Sequence, residues 1–233
     1  MKGIQFEIKG NWAHFRKVDT NSTPLSHDFI TKTALIGMIG AVLGYERDKM
    51  RLLFPELCKN LIYCIQVKTI VKKQSCGFTF VKDISNNALK APKQMELIKD
   101  PYYVVSLGLF DEKSKEHFDA FTSALKNGNA LYEPVLGIHN CPAELLFLQE
   151  GIFEEKTAAV FETKGFVSSK HTPKITESNI FRLGFDKIPT FQNDDFWNLP
   201  EKYVQVIYPS DGHTLTVEGA YYEFSDKTKW YLV

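Results

Sequence analysis

NWAHFRKVDTNSTPLSHDFITKTALIGMIGAVLGYER, residues 11–47, joins a predicted strand to the most apolar helix of the chain. Before this stretch, apolar and polar residues alternate over positions 4–8, which is the period of a half-buried strand. Residues 29–45 predict one buried helix, and Asp28 or Thr31 is suited to be its N-cap. The fold is therefore expected to be built around a strand, a loop and a buried helix.

The loop and the first helical turn contain the residue types that bind single-stranded RNA. The loop residues are Trp12, His14, Phe15, Arg16, Lys17 and His27. Splayed bases stack on aromatic rings, and an arginine contacts phosphate through two N–H groups. Thr31, Lys32 and Thr33 place polar groups at the helix start, where free backbone N–H groups favour an anion. Together they predict a phosphate or RNA site, although each of these residue types alone is more often structural.

The predicted helix also has a face of small residues. They are Ala34, Gly37, Gly40, Ala41 and Gly44. Each helical glycine costs up to about 1 kcal/mol relative to alanine. We therefore expect another backbone, of protein or nucleic acid, to approach along this face, and close packing on a sheet is the simpler explanation.

Composition limits the function classes. The chain has 233 residues with 28 basic and 28 acidic side chains, so no overall charge attracts it to nucleic acid and any binding is local. The four cysteines and six histidines form no CxxC or HExxH pattern, so neither a metal nor another cofactor is predicted. No signal peptide or membrane-spanning run is recognised, and a cytoplasmic location is expected.

A lysine-rich hairpin arm is predicted over about residues 72–95. A strand over 57–71 precedes it, and the strand pattern resumes over 95–107. Residues 68–99 contain seven lysines and two acids, which leaves a net charge of plus five. The candidate phosphate contacts are Lys72, Lys73, Lys90 and Lys93. The arm is expected to contact nucleic acid or a neighbouring subunit, but such lysines also keep an exposed strand edge from pairing.

The order of elements predicts an α+β, ferredoxin-like or RRM-like fold over residues 1–150. A second helix is expected over 113–126, with Gly128 at its end, and a turn at Gly137 precedes a strand over 143–148. Residues 151–233 are expected to form a small, mostly β subdomain. Its candidate strands are 158–163, 181–185, 203–208 and 221–224.

Four segments resemble a known family. They are AHFR (13–16), LSHDF (25–29), KTALIGMIGAVLGYERD (32–48) and LYEPVLGIHNCPAEL (131–145). These segments resemble the landmarks of the CRISPR-associated family-five proteins, which are RAMP-superfamily subunits of type I Cascade surveillance complexes. The helix signature is more similar to the type I-B branch. The resemblance implies a RAMP fold whose arm is a thumb-like hairpin reaching across a guide RNA.

The resemblance also implies a function in antiviral defence. A non-catalytic subunit would clamp the 5′ handle of the crRNA with residues 12–16 and 31–33 and cap the backbone filament. Its implied partners are the crRNA, a backbone RAMP subunit and the large subunit, with target DNA nearby and no membrane.

One branch of the family implies an alternative, a metal-independent endoribonuclease that processes pre-crRNA. That chemistry needs a base, an acid and a cation. Tyr45, Lys170 and His171 are the candidate groups. Tyr45 ends an apolar helix, so a core position is the expected one, and the non-catalytic function is preferred.

Overall fold

The computed structural model describes residues 1–20, 22–81, 90–174, 183–195 and 199–233, and the side chains of residues 80, 81 and 90 are outside this description. The helices are α1 (Lys32–Val42), α2 (Arg47–Asn60) and α3 (Lys115–Asn127), and a 3-10 turn (Glu112–Ser114) precedes α3. The strands are β1 (Lys2–Lys9), β2 (Trp12–Ala13), β3 (Leu61–Val67), β4 (Lys72–Val81), β5 (Lys90–Lys99), β6 (Tyr102–Leu109), β7 (Glu144–Thr163), β8 (Val167–Ser168), β9 (Thr172–Pro173), β10 (Leu183–Phe191), β11 (Lys202–Pro209), β12 (Leu215–Phe224) and β13 (Lys229–Trp230).

The central sheet has the predicted α+β, ferredoxin-like arrangement. Its strand order is β13-β12-β7-β1-β6-β3, and the pairs that β1 forms with β6 and β7 are antiparallel, as is the pair of β3 with β6. The apolar residues of β1 are buried on the side of the helices, where the ring of Phe6 lies 5.5 Å from that of Phe121 on α3. Gly128 ends α3 in the left-handed conformation, as predicted.

The helix predicted over 29–45 is shorter in the structure, where it is α1, and a second helix, α2, follows it. Thr31 is the N-cap of α1, and its Oγ1 accepts a hydrogen bond of 3.4 Å from the backbone N–H of Ala34. The prediction missed α2, whose buried Met50, Phe54 and Leu57 have helical spacing. The predicted strand over 57–71 was therefore wrong at both ends, because its first residues complete α2 and β3 ends at Val67.

The small residues of α1 pack against side chains rather than against a backbone. A Cβ at Gly40 would lie 2.6 Å from the sulfur of Met50 on α2, and Gly44 has a positive φ beside the side chain of Leu131. A Cβ at Gly37 would meet open space. The expectation of a backbone along the whole face was therefore wrong, since these glycines make room for neighbouring apolar side chains.

The hairpin arm is confirmed. β4 and β5 pair along their whole length, from Lys72 opposite Lys99 to Val81 opposite Lys90, and β2 adds a third strand at the base. The predicted strand over 95–107 is two strands, because Asp100 has a positive φ of 49° and separates β5 from β6. Residues 82–89, which the predicted arm includes, lie outside the described residues.

The predicted boundary between residues 150 and 151 falls inside β7, a strand of 20 residues. The first half of β7 pairs with β1 and the second half with β12. Phe153, Phe166 and Trp230 belong to the same hydrophobic core as Ile4 and Phe6. Residues 151–233 therefore share a sheet and a core with the first part of the chain, which corrects the expected division.

Three of the four strands predicted after residue 150 lie within longer strands. Residues 158–163 end β7, residues 203–208 lie in β11, and residues 221–224 end β12. Of the predicted strand 181–185, residues 183–185 begin β10, and residues 181 and 182 lie outside the described part of the chain. None of the helices in the described ranges is long and apolar enough to cross a membrane.

The turn at Gly137 generates a stability prediction. Gly137 has φ +91°, and a Cβ there would lie 1.9 Å from the backbone oxygen of His14. Gly137→Ala should lower the free energy of unfolding by about 1–3 kcal/mol from backbone strain alone. Gly37→Ala is the matched control and should raise it by up to about 1 kcal/mol, because its Cβ meets open space on a helix. Urea unfolding followed by circular dichroism measures both free energies of unfolding. Equal values for the two variants would contradict the close packing of Gly137 against the backbone of His14.

Candidate nucleic-acid interface

The loop between β2 and α1 is folded back on itself. A bridge joins Arg16 to Ser26, and the backbone N–H of His27 donates to the oxygen of Phe15 at 2.8 Å. The hydroxyl of Ser26 accepts a hydrogen bond of 2.9 Å from the N–H of Phe15 and donates one of 2.7 Å to the oxygen of His27. These contacts place the predicted loop residues beside the start of α1.

The rings predicted to stack on bases are mostly buried. His14 and Phe15 are both in the core, and Nδ1–H of His14 donates to the backbone oxygen of Glu96 at 2.7 Å. Burial lowers the pKa of His14. The ring of Phe15 packs against Tyr103, while Trp12 is half-buried on β2. Burial therefore argues against base stacking by His14 and Phe15, because loop closure turns them inward.

Two of the predicted phosphate-binding lysines are held by the fold. Lys32 is only 5% exposed, and burial lowers its pKa to about 8. The Nζ of Lys73 lies 2.8 Å from Asp28 and 3.1 Å from Glu96, and it donates to the oxygen of Ser26 at 2.7 Å. Burial alone would lower the pKa of Lys73, but its bonds to the two carboxylates raise it. Lys32 therefore lies in the interior and Lys73 is ion-paired within the fold, which corrects the prediction of both as free phosphate contacts.

Asp28, considered a possible helix cap, instead connects three parts of the chain. Besides its ion pair with Lys73 at the base of the arm, one carboxylate oxygen accepts a bond of 2.6 Å from the hydroxyl of Tyr208 on β11. Its backbone oxygen accepts a bond of 2.9 Å from the hydroxyl of Tyr103 on β6. The loop, the arm and the C-terminal strands are therefore positioned together.

A second polar cluster lies beside the first. Nδ1–H of His27 donates to Asp186 on β10 at 2.9 Å, and the two side chains are only 4% and 6% exposed. Lys17 contacts the same carboxylate at 3.2 Å. Burial alone would raise the pKa of Asp186, but the hydrogen bond from His27 and the charges of His27 and Lys17 lower it to about 2. His27 therefore supports the loop, and the sequence did not reveal its partner.

A groove of 510 Å³ contains the remaining candidates for RNA contact. Its lining includes the loop, the start of α1, the arm, the turn at Gly137 and the C-terminal region. Arg16 is exposed at this groove, where Thr31 and Thr33 also lie. The structure thus brings together Arg16 and two of the three predicted helix-start side chains. The cation and the helix start suit a phosphate, and Met95 and Ile138 offer apolar contacts.

The candidate lysines of the arm differ in their surroundings. Lys72 and Lys93 are exposed, whereas Lys73 is paired as described above. The side chain of Lys90 lies outside the described part of the structure. Lys72 and Lys93 therefore have the exposure that a phosphate contact requires.

The groups of the alternative catalytic prediction have separate surroundings. The hydroxyl of Tyr45 is hydrogen-bonded to Nδ1 of His117 on α3 at 2.7 Å, and Lys49 lies 3.8 Å from the centre of its ring. His171 is buried, and its Nε2–H donates to the oxygen of Ala220 at 2.9 Å, while Lys170 is exposed. In the described ranges, no group of three or more metal-ligating residues occurs.

Comparisons with known proteins identify related sequences and folds. The family model described as CRISPR-associated protein (Cas_Cas5) matches residues 3–196. No curated protein matches the chain. A crystal structure of a CRISPR protein from Archaeoglobus fulgidus is similar at a TM-score of 0.63 and 12% identity, over 98% of each chain. A chain of a CRISPR RNA-guided surveillance complex is similar at a TM-score of 0.56 and 11% identity, over 97% of this chain and 92% of that one. At these identities the structural matches establish the fold.

The buried Asp186 cluster predicts a pH-dependent stability. The pKa of Asp186 is lower in the folded chain than the usual value near 3.9. Its ionised carboxylate therefore stabilises the folded chain above about pH 4. That contribution is lost as pH falls from about 4 towards 2. Asp186→Asn should lower the free energy of unfolding near neutral pH by about 2 kcal/mol. Denaturant unfolding at several pH values should show the difference between parent and variant shrinking over that window.

Asp119 provides the matched control, since it also lies between two cations, Lys2 and Lys115, but at the surface. Asp119→Asn should cost less than about 1 kcal/mol, as exposed ion pairs contribute little. Equal losses for the Asp119 and Asp186 variants near neutral pH would show that burial of the Asp186 cluster adds nothing.

Proposed function

The chain belongs to the CRISPR-associated Cas5 family, and from that membership we propose that it is a non-catalytic RNA-binding subunit of a type I Cascade complex. It clamps the 5′ handle of the crRNA and caps the backbone filament. Its proposed partners are the backbone RAMP subunit and the large subunit, with target DNA nearby. The helix signature over residues 32–48 supports assignment to the type I-B branch.

The groove beside Arg16 is the observation that carries the proposal. Arg16 is exposed, its guanidinium donates to the backbone oxygen of Thr20 at 3.3 Å, and its positive charge suits a phosphate. The first turn of α1 adds the positive end of a helix. Thr33 supplies a hydroxyl group at the same end, whereas the hydroxyl of the buried Thr31 caps the helix. One end of an RNA strand fits such a site, because local contacts can bind phosphate on a chain of zero net charge.

The arm supplies the second proposed contact. Its base is fixed by the contacts of Lys73 with Asp28 and Glu96, so the exposed Lys72 and Lys93 project from a supported hairpin. A positively charged hairpin with a supported base is suited to a strand or subunit that passes beside the groove. Lys73 orients the arm in this proposal.

The absence of catalysis is proposed from the surroundings of the alternative residues. The hydroxyl of Tyr45 is engaged by His117 on the helical side of the sheet. The ring of His171 is buried between Phe161 and Tyr231, at ring distances of 6.0 and 4.9 Å. A general acid or base must reach the proton that it transfers. These contacts support the proposal that Tyr45 and His171 have structural roles.

Arg16→Ala should weaken binding of handle RNA roughly tenfold, because the substitution removes a charge-assisted hydrogen bond to phosphate. The slope of log affinity against log salt should become shallower by about 0.7, the value for one phosphate on a single strand. Fluorescence anisotropy with labelled repeat RNA at several salt concentrations measures both. Lys113→Ala is the control, since Lys113 is exposed just before α3. The same affinity and slope for the Arg16 variant and the parent would remove Arg16 from the site.

Purified protein should retain intact repeat RNA in the presence of a chelator, whereas a metal-independent ribonuclease would still cut it. Tyr45→Phe and His171→Ala should leave guide maturation in cells unchanged, provided that the variants remain folded by circular dichroism. Denaturing gels and northern blots measure these outcomes. Site-specific cleavage by the parent chain, abolished in either variant, would contradict the non-catalytic proposal and support the endoribonuclease.

A further inference from the structure

A second cleft lies on the face of the central sheet that the helices do not cover. Its floor includes Gln5 of β1, Gln66 of β3 and Val104 of β6. Its wall is formed by the end of β7 together with residues of β12 and β13. The volume is 730 Å³, within the range of sites that bind small molecules or single nucleotides. The proposed handle site does not use this cleft.

The floor contains an available amide. Gln66 is only 8% exposed, and its side chain has no hydrogen-bond partner among the described residues. By contrast, the amide of Gln5 donates to Ser106 at 3.0 Å and accepts from Gln149 at 2.7 Å. The Gln66 amide therefore offers one donor group and one acceptor to a molecule in the cleft.

The charges at the cleft favour an anion. Its lining contains Lys68, Lys164, Lys227 and Lys229, against Glu7 and Glu162. Glu7 is compensated by Lys9 at 2.7 Å and also accepts a hydrogen bond from Tyr102. Lys227 is paired with Glu223 at 3.3 Å, whereas Lys164 and Lys229 form no ion pair within the described part of the chain. The cleft is therefore positive, although the whole chain is neutral.

Apolar side chains complete the cleft. Leu148 and Val160 are exposed large apolar residues, and Val104 lies on the floor near them. The apolar surface, the available amide and the lysines without ion pairs match the face of a base, the polar edge of that base and the phosphate of a nucleotide. A base packs on apolar groups, its edge bonds to an amide, and its phosphate contacts a cation.

We propose that this cleft binds one nucleotide of a single-stranded nucleic acid. The base lies against Leu148 and Val160, its edge meets the amide of Gln66, and the phosphate lies near Lys164 and Lys229. This inference goes beyond the handle clamp and does not depend on it, because the two sites share no lining residue.

The test uses the full chain and a short fluorescein-labelled oligouridylate that carries one thiouridine for crosslinking. Mass spectrometry should place the crosslink on peptides that line the cleft. Lys164→Ala combined with Lys229→Ala should weaken binding at least tenfold and flatten the salt slope by about 0.7 for each lysine that binds a phosphate. Lys59→Ala combined with Lys113→Ala removes equal charge from exposed positions near the helices and should change neither quantity.

Gln66→Leu tests the contact with the base separately from the contact with the phosphate, and Val160→Trp tests the cleft without disturbing the fold. Gln66→Leu should reduce the affinity difference between oligouridylate and oligoadenylate without altering the salt slope. Val160→Trp alters an exposed position and should block the cleft in a chain of unchanged thermal stability. Competition by uridine monophosphate or by the matching DNA oligomer shows whether a free nucleotide or either type of strand is accepted.

The outcomes distinguish this proposal from the handle clamp. Crosslinks at the cleft in Arg16→Ala protein support the cleft even if handle RNA is not bound. Crosslinks confined to the groove at Arg16 would overturn the cleft proposal and leave the clamp proposal unaffected. The same affinity in folded cleft variants and in the parent would do so too. Absence of oligonucleotide binding, or occupation of the cleft by a peptide alone, also overturns it.

Discussion

The ion pair between Lys73 and Asp28 is the contact on which the arrangement of the candidate site depends. A partly buried charge is tolerated when partners compensate it, and Lys73 has two carboxylates and a backbone oxygen around it. Asp28 also binds the hydroxyl of Tyr208. Through these bonds the base of the arm, the loop before α1 and the C-terminal strands take one common position. Removing the Lys73 charge would leave two partly buried carboxylates, Asp28 and Glu96, without their shared cation.

This network explains why so few of the aromatic and basic residues in the loop remain at the surface. As the loop crosses the sheet edge, Nδ1 of His14, Nδ1 of His27 and Nζ of Lys17 bond to the protein, and Nε2 of His14 is buried without a hydrogen-bond partner among the described residues. The exposed Arg16 and the start of α1 are left beside the groove. The charge available to a ligand is thus smaller than the loop composition indicates, and its position is better defined.

The fold was largely predictable because its signals are local. Alternation in β1 and the glycine after α3 both indicated the right elements. The helix α2 was missed although Met50, Phe54 and Leu57 have helical spacing, because its last residues run without a break into the apolar β3 and resemble the start of that strand. The boundary inside β7 was misplaced since the polar residues around Gly151 resemble a break, whereas pairing with β1 and β12 continues through them. The burial of Lys32 and the pairing of His27 with Asp186 depend on distant residues, which no local pattern reveals.

The long strand β7 belongs both to the part of the central sheet that the helices cover and to the wall of the cleft on the opposite face. Its first half completes the ferredoxin-like unit, whose helical face is covered by α1, α2 and α3, and its second half pairs with β12 to form a wall over the opposite face. A bulge in the pairing of β1 with β7 occurs between Gln5 and Phe6, beside the floor of the cleft. Bulges bend a strand and increase its twist. A continuous but bent β7 therefore creates a cleft on the uncovered face, while the loop and arm form the groove from separate elements. Because the two concavities have different supports, changes in one can leave the other intact.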